Sequence, residues 1–361
     1  MNTSNDSARL AAGMMCVGFE GLSVPHTLGK LLDAGVGQVV LFARNVETPQ
    51  QVSELCNEIR NRAPGPVLIC VDQEGGRVRR FREGFSPVPS MRDVGRLGDV
   101  NVASEIGTML GMELRCVGID LNFAPVVDVD TNPLNPVIAD RSFSSDPLVV
   151  SNMACAMISG MQSAGVAACA KHFPGHGDTS TDSHHALPRL DHGMERLRTI
   201  ELPPFFAAAK AGVASMMTSH VIFSPLDSTM PATLSPHVIK PILREEMRYD
   251  GLVFSDDMEM KAVANFFGFD ESITAAAYAS VDVLTVCHTL DRQWRAIEVL
   301  ASLPDEILRA ANLRRQRVVD RYVNLPRPGL DVLDSASHRQ TIARVNRSKE
   351  DADPTERSKW M

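Results

Sequence analysis

Short apolar runs alternate with longer amphipathic segments along most of the chain. Runs of this length, bounded by turn residues, indicate buried strands, and the segments between them have helical spacing. Because strand and helix alternate, we expect parallel strands that are buried on both faces. The runs are Met14–Val17, Val36–Phe42, Val67–Val71, Ile119–Val127, Val166–Ala170, Ala214–Thr218, Leu252–Phe254 and Val281–Val286, and the helical segments include Gln50–Arg62, Ala103–Arg115, Leu148–Ala164, Pro203–Ala211 and Val238–Met247.

Eight strand–helix units favour a closed (β/α)8 barrel of the α/β class. An open doubly wound sheet more often has five or six strands, and no run is followed by the Gly-x-Gly-x-x-Gly loop of dinucleotide binders. No change in composition divides the chain, so we expect a single barrel domain over residues 1–336. Residues 337–361 are highly charged and are expected to form a frayed or disordered tail.

Composition narrows the classes of partner. The 361 residues are 44% apolar and 22% charged, with a net charge of −8, which disfavours nucleic acid and anionic membrane surfaces. No secretory signal and no apolar stretch of bilayer length is visible. The seven cysteines are scattered without a Cys-x-x-Cys pair, which favours reduced thiols over disulfides or a zinc site. We therefore expect a cytoplasmic protein.

Polar residues end nearly every apolar run. A barrel places its active site at the C-terminal ends of its strands, on loops that come from many of them. The pattern is the one such a site leaves in a sequence, although it does not name the chemistry. The strand-end residues are Arg44-Asn45, Asp72-Gln73-Glu74, Asp128-Val129-Asp130, Lys171-His172, Ser219-His220, Ser255-Asp256-Asp257 and His288.

The segment from Lys171 to Pro188 contains four histidines and two aspartates. His172 and His176 have the spacing of a metal pair on a helix, but Pro174 and the adjacent glycines indicate a loop. A metal site assembled from this loop remains an alternative, as does a set of polar residues that only bond one another. Neither alternative is excluded by this segment alone.

Asp182 and His184 in the same segment form the best general acid/base candidate. Residues two apart in an extended segment point to the same side, so the carboxylate can orient the imidazole and favour its protonated form. A histidine titrates near pH 6.5 when free, so a modest upward shift of its pKa gives a usable acid at neutral pH.

Two further strand ends carry carboxylates. The run Leu252–Phe254 leads to Asp256 and Asp257, of which one is expected to cap a helix and the other to act as nucleophile at an anomeric carbon. Strand parity does not choose between them. Asp72 is followed by a Gly-Gly pair that allows close approach to a ligand, so Asp72 suits a pair of vicinal hydroxyls; a structural turn is the alternative.

In this order, the segments VDQEGGRVRRF, NFAPVVDV, DRSF, KHFPGHGD, TDSH and GLVFSDDM resemble the bacterial N-acetylglucosaminidases of glycoside hydrolase family 3. The resemblance extends from about residue 10 to about residue 320, and the KHFPGHG segment followed by DSH is highly specific. Enzymes of this kind are single-domain barrels of cell-wall recycling that use no metal. The resemblance therefore implies a glycoside hydrolase without a cofactor.

The resemblance also implies roles for individual residues. It makes Asp256 the nucleophile, His184 the acid/base and Asp182 its orienting partner. Departures from the family pattern are small: Asp140 precedes Arg141 where Glu is commoner, and Met258-Glu259 replaces Leu-Ser. A second histidine, His185, follows His184 and leaves some question of which imidazole acts, but the spacing from Asp182 and the family pattern both favour His184. The side chains implied to hold the hydroxyls of the terminal sugar are Asp72, Arg80, Arg141, Lys171 and His172.

The substrate and the rival functions complete these expectations. Two Trp and three Tyr, none of them in the motif loops, suggest a pocket for one terminal sugar, since polysaccharide clefts need aromatic platforms. The resemblance implies cleavage of N-acetylglucosaminyl-1,6-anhydro-N-acetylmuramyl-peptides from peptidoglycan turnover. We expect a monomer, although the sequence itself does not reveal the oligomeric state. A neutral histidine would also tolerate phosphate as acceptor, so phosphorolysis is a side hypothesis. The alternatives are a loop-assembled metallohydrolase, a non-catalytic sugar-binding barrel and a β-glucosidase, although the last usually takes its acid/base from a second domain.

Overall fold

A closed barrel of eight parallel strands forms the centre of the protein, as expected. The computed structural model describes residues 3–180 and 187–351. Each strand pairs with the strands before and after it in the chain, and the last strand closes on the first. The strands are β1 (Met15–Val17), β2 (Gln38–Leu41), β3 (Leu68–Val71), β4 (Leu121–Asn122), β5 (Ala167–Phe173), β6 (Ser215–Thr218), β7 (Leu252–Asp257) and β8 (Val283–Val286).

Helices surround the barrel and cover its outer face. The α-helices are Thr3–Gly13, His26–Asp33, Pro49–Arg62, Met91–Leu97, Val100–Cys116, Pro147–Ser163, Met194–Arg196, Pro203–Lys210, Lys261–Ala264, Phe269–Tyr278, Leu290–Ala301, Asp305–Tyr322 and Ala336–Asp351. Short 3₁₀ turns lie at Ala43–Asn45, Ala139–Arg141 and Leu330–Val332, and wider π-helical turns at Leu197–Glu201 and Ile239–Glu246. Two-stranded additions pair Gln73–Gly75 with Val78–Arg79 and Arg189–Leu190 with Ile222–Phe223. None of the described helices has the length and apolarity that crossing a bilayer requires.

The strands form where the sequence is apolar on both faces. One set of side chains packs against the helices, and the other fills the barrel interior, where the rings of Phe123 and Phe254 meet edge to face at 5.2 Å. Such an interior is a packed core rather than a channel. The polar continuations of the strands are thereby confined to the open C-terminal end.

Local signals account for the helix starts. Thr48 accepts a hydrogen bond from the Gln51 N–H at 3.1 Å and is followed by Pro49, whose missing N–H costs nothing in the first turn. Asp146 accepts from Leu148 N–H at 2.8 Å before Pro147 in the same way. The five expected helical segments are confirmed to within a few residues.

The apolar run Ile119–Val127 is longer than its strand, which ends at Asn122. Pro125 has no N–H with which to continue the hydrogen bonds of the sheet. The side chain of Asn122 bonds the backbone at the end of the neighbouring strand β3. Its Oδ1 accepts from Gln73 N–H and its Nδ2 donates to the Gln73 carbonyl, both at 2.9 Å. This pair ties the ends of β3 and β4 together beneath the site.

Residues 337–351 differ from the disordered tail expected for them. They belong to the helix Ala336–Asp351, which packs against the helices Met91–Leu97 and Val100–Cys116 and buries Val345 fully. His338 Nδ1 lies 2.7 Å from Oε1 of the buried Glu113. The high charge misled the prediction because exposed residues such as Arg339 and Arg347 share the helix with the buried Ile342 and Val345. Residues 352–361 lie outside the described residues.

Candidate active site

The C-terminal ends of the barrel strands surround a cavity of about 500 Å³. This volume is in the range of pockets for small ligands. Seven of the strand-end residues singled out in the sequence contribute to its wall. Its charged and imidazole side chains are those of Asp72, Glu74, Arg77, Arg80, Arg141, Lys171, His172, His176, Asp256, Asp257, Glu259, Lys261 and His288.

Asp256 and Asp257 both line this cavity at the end of β7, but their surroundings differ. Asp257 accepts from Glu259 N–H at 3.1 Å, and its Oδ2 lies 3.2 Å from His288 Nε2. Asp256 has one hydrogen bond within the described residues, from the Asp257 N–H to its Oδ1 at 2.8 Å. Asp256 therefore keeps acceptor capacity toward the cavity. The alternation of side chains along the strand could not show which aspartate faces the cavity, because the register of β7 against β8 shifts between Phe254 and Asp257.

Neither aspartate caps a helix, contrary to expectation. The next helix, Lys261–Ala264, begins after Met260, which provides no side-chain cap. Asp257 instead closes a short turn through its bond from Glu259 N–H. Both carboxylates thus remain available to the site.

The carboxyl group of Asp256 is held in its ionised form. Burial alone would raise its pKa, but His220, His172, the Asp257 N–H and Lys171 lower the pKa of Asp256 below its ordinary value. An ionised carboxylate with free lone pairs has the property a nucleophile requires.

Lys171 lies at the centre of a buried ion-pair cluster. Its Nζ is 2.7 Å from Asp72 Oδ1 and 2.6 Å from Glu74 Oε1, and Glu74 also receives two hydrogen bonds of 2.8 Å from Arg141. Burial would raise the pKa of Glu74, but Arg141 and Lys171 keep it well below its usual range. Burial likewise opposes the charge on Lys171, whose pKa Asp72 and Glu74 nevertheless raise. The cluster presents fixed donors and acceptors, which suit sugar hydroxyls.

Arg80 extends the cluster toward the mouth of the cavity. Its Nη2 lies 3.5 Å from Asp72 Oδ2, and its buried Nε has no hydrogen-bond partner in the described part of the chain. Arg80 and Arg44 also approach the ring of Phe42, with Cζ at 5.8 Å and 4.4 Å from its centroid. Phe42 is an aromatic residue of the cavity wall that the sequence reasoning did not include.

His172 follows Lys171 in β5 and is oriented by the fully buried Asp128. The Nδ1 of His172 is 2.8 Å from Asp128 Oδ2, and Asp128 Oδ1 also accepts from the backbone N–H of His172 and His176. Burial would raise the pKa of Asp128, but His172 and His176 lower it. An ionised Asp128 fixes the proton on Nδ1 and leaves Nε2 as the second functional atom of the ring.

Five of the eight predicted site residues line the cavity together with Asp256: Asp72, Arg80, Arg141, Lys171 and His172. The other two, Asp182 and His184, lie outside the described residues, as does His185. On the chain before them, Asp178 accepts from Thr131 Oγ1 at 2.7 Å and forms a direct hydrogen bond with His192. The roles of Asp182 and His184 as the acid/base pair therefore stay a prediction.

The two described histidines of the motif, His172 and His176, are engaged with the protein itself. His176 is buried, with its Nδ1 2.9 Å from Thr179 Oγ1, and burial lowers its pKa to about 4 with a further contribution from His172. Within residues 3–180 and 187–351, no group of three or more His, Cys, Asp or Glu side chains is arranged to hold a metal ion.

Glu74, Asp128 and His220 stand at strand ends in the sequence, but no role was predicted for them. Each acts through a partner distant in the chain: Glu74 through Arg141, Asp128 through His172, and His220 through Asp257. Their positions at strand ends were the only signal that could have singled them out.

Comparison with known proteins agrees with this architecture. Residues 24–321 match the glycosyl hydrolase family 3 N-terminal domain. The β-hexosaminidase of Thiobacillus denitrificans is 38% identical over 338 residues, which cover 91% of this chain and 93% of that protein.

Two solved structures have the same fold. A glycoside hydrolase family 3 β-N-acetylglucosaminidase from Paenibacillus sp. FPU-7 superposes with a TM-score of 0.90 at 37% identity, covering 94% of this chain and 68% of the other. NagZ from Neisseria gonorrhoeae, in complex with N-trifluoroacetyl-D-glucosamine, gives 0.82 at 30% identity, covering 93% and 98%. This chain is a glycoside hydrolase that belongs to glycosyl hydrolase family 3.

Proposed function

We propose that this chain is a retaining exo-β-N-acetylhexosaminidase that removes a non-reducing terminal N-acetylglucosamine. The observation that carries the proposal is Asp256, an ionised carboxylate with acceptor capacity at the end of β7, in the same cavity as the Lys171 cluster. The names of the relatives, β-hexosaminidase and β-N-acetylglucosaminidase, support the choice of sugar.

The proposed mechanism has two displacements. Asp256 attacks the anomeric carbon while His184 gives its proton to the leaving oxygen, so the glycosidic bond breaks as the glycosyl–Asp256 bond forms. His184, now neutral, then takes a proton from water, and the resulting attack releases the sugar and frees Asp256. Asp182 orients His184 in both steps.

The sugar is held by the charged side chains of the Lys171 cluster. Asp72 and Lys171 are charged, paired and fixed, so their remaining lone pairs and protons can bond vicinal hydroxyls at little reorganisation cost. Arg80, Arg141 and His172 complete the set. A pocket of about 500 Å³ accommodates one terminal sugar with its first linkage, which agrees with exo action.

The proposed physiological substrate is an N-acetylglucosaminyl-1,6-anhydro-N-acetylmuramyl-peptide from peptidoglycan turnover, cleaved by a cytoplasmic monomer without metal. This finer assignment rests on the resemblance to the recycling enzymes. It is tested by digestion of purified turnover fragments, in which free N-acetylglucosamine and the anhydromuramyl-peptide should appear in equal amounts.

The first experiment measures release of p-nitrophenol from the β-N-acetylglucosaminide and the β-glucoside, with EDTA throughout. Fast cleavage of the first and little of the second is expected, with Asp256→Asn inactive and the exposed Asp291→Asn unchanged. Cleavage that EDTA abolishes would favour the metallohydrolase, and cleavage of neither would favour a binding protein. Added phosphate that produces sugar 1-phosphate would establish phosphorolysis.

A further inference from the structure

His220 is a fully buried histidine next to the nucleophile region that the proposed mechanism does not use. It follows β6, and both of its ring nitrogens are engaged. Nε2 lies 3.0 Å from the backbone oxygen of Asp257, and Nδ1 lies 2.9 Å from Thr233 Oγ1. His220 is not part of the cavity wall, so it does not touch a substrate bound there.

The protons on this histidine follow from its partners. A carbonyl oxygen only accepts, so Nε2 must carry a hydrogen and donate it to Asp257. Burial lowers the pKa of His220, which keeps the ring neutral and leaves Nδ1 as an acceptor. Thr233 therefore donates its hydroxyl hydrogen to Nδ1 rather than to the Ser219 carbonyl, which lies 3.0 Å away.

The chain of donors continues in both directions. Thr218 Oγ1 lies 2.9 Å from Thr233 Oγ1 and donates to it, since the Thr233 hydrogen is already committed. On the other side, Asp257 donates its own N–H to Oδ1 of Asp256 at 2.8 Å. The hydrogen bonds from Thr218 through Thr233 and His220 polarise one another as far as the Asp257 carbonyl. That carbonyl and the Asp257 N–H belong to different peptide groups, so the last link to the carboxylate of Asp256 is one of position.

Asp257 is the link through which His220 acts. Its side chain is held by His288 and by Glu259 N–H, and its carbonyl is held by His220. Because Asp257 is held at both its side chain and its carbonyl, the orientation of its N–H is fixed. The hydrogen bond from this N–H then fixes the position of Asp256 Oδ1. Of these restraints, His220 is the buried one, while His288 is exposed.

We propose that His220, supported by Thr233, is a positioning residue that fixes Asp256 through the backbone of Asp257. This inference rests on the proposed function of Asp256 as nucleophile. His220 differs from a general acid or base because both nitrogens are committed within the protein and solvent does not reach the ring.

The test compares His220→Leu with His220→Gln, whose amide can still donate to the Asp257 carbonyl, and Thr233→Val with Thr233→Ser. The exposed His237→Asn is the control. His220→Leu should lower kcat about 100-fold with KM within about 3-fold, because a displaced nucleophile slows the step more than binding. His220→Gln and Thr233→Ser should recover most of the loss. The acid limb of the kcat/KM profile should move to higher pH in His220→Leu, because the Asp257 N–H that His220 holds in place is one of the groups that lower the pKa of Asp256.

Thermal unfolding separates positioning from general destabilisation, and if His220→Leu does not fold, the Thr233 pair decides by the same readouts. The inference would be overturned by folded variants that lack the hydrogen bond from His220 to the Asp257 carbonyl and still keep the wild-type kcat and an unshifted acid limb. This result would leave the proposed function intact. An inactive wild type would instead overturn the proposed function and the inference with it.

Discussion

The ammonium of Lys171 lies 2.6 Å from Oε1 of Glu74, and both side chains are 2% exposed. Charges this well buried are stable only when they are mutually compensated, and removal of one partner leaves the other uncompensated. Glu74 therefore holds Lys171 and Arg141 in place. Both Glu74 and Asp72 line the cavity, but the Glu74 side chain is committed to two cations, whereas the Asp72 side chain is 18% exposed.

Glu74→Gln should destabilise the protein and also weaken substrate binding. The change leaves two buried cations with one carboxylate fewer, which should lower the free energy of unfolding by about 3–5 kcal/mol. KM should rise, since Lys171 loses its fixed position. Urea unfolding and initial rates measure both effects, with the exposed Glu306→Gln as control. A variant as stable as wild type would contradict the role given to Glu74.

Asp72→Ala should reduce kcat/KM by about 10–100-fold, the effect of one or two charge-assisted hydrogen bonds to hydroxyls. Asp72→Asn should lose less, because its amide oxygen still accepts. Steady-state rates with the β-N-acetylglucosaminide measure the loss of kcat/KM. The 4-deoxy analogue of this substrate tests whether Asp72 bonds the 4-hydroxyl of the sugar. Equal losses for both sugars in the variant would show that Asp72 does not bind that hydroxyl.

The acid limb of activity should lie below the ordinary titration range of an aspartate. Because the pKa of Asp256 is lowered, the carboxylate stays ionised, and the rate holds, as the pH falls toward that range. The profile of kcat/KM between about pH 3 and pH 9 shows this limb. An acid limb above about pH 5 would contradict an ionised, electrostatically stabilised nucleophile.

The contact between Glu113 and His338 should anchor the helix Ala336–Asp351. Burial would raise the pKa of Glu113, but bonds from His338, Ser86 and Asp334 lower it. A carboxyl with a lowered folded-state pKa stabilises the protein above its unfolded-state pKa, and this stabilisation is lost as pH falls through the folded value. Glu113→Gln should therefore cost about 2 kcal/mol at neutral pH, with little effect near pH 3.

Urea unfolding at the two pH values checks the prediction for Glu113. Activity should be unchanged at neutral pH, because Glu113 is not among the residues of the cavity wall. An equal loss of stability at both pH values would show that the carboxylate charge is not what anchors the helix.

The barrel was predictable because its signals are local. Strands such as Val283–Val286 are apolar runs buried on both faces, and helices such as Pro49–Arg62 and Pro147–Ser163 start at a cap and a proline that the sequence displays. The helix Ala336–Asp351 was not predictable in this way, because its apolar positions are few and its stability comes from the distant Glu113.

The site was predictable in part for a related reason. Residues such as Lys171 and Asp256 stand in specific motifs at strand ends. The partners that hold them in place, Glu74 directly and His220 through Asp257, lie in other units of the barrel and approach them only in the folded chain. Phe42 was missed because its run ends in an aromatic residue that also suits a core.

The most direct measurement of the central claim is trapping of the glycosyl–enzyme with a 5-fluoro N-acetylglucosaminyl fluoride, followed by mass spectrometry of the peptides. Fluorine slows formation and hydrolysis of the intermediate, while the fluoride leaving group keeps formation the faster step. The account predicts one added sugar on Asp256, with a product that retains the β configuration by NMR. A label on Asp257, or an inverted product without any label, would contradict it.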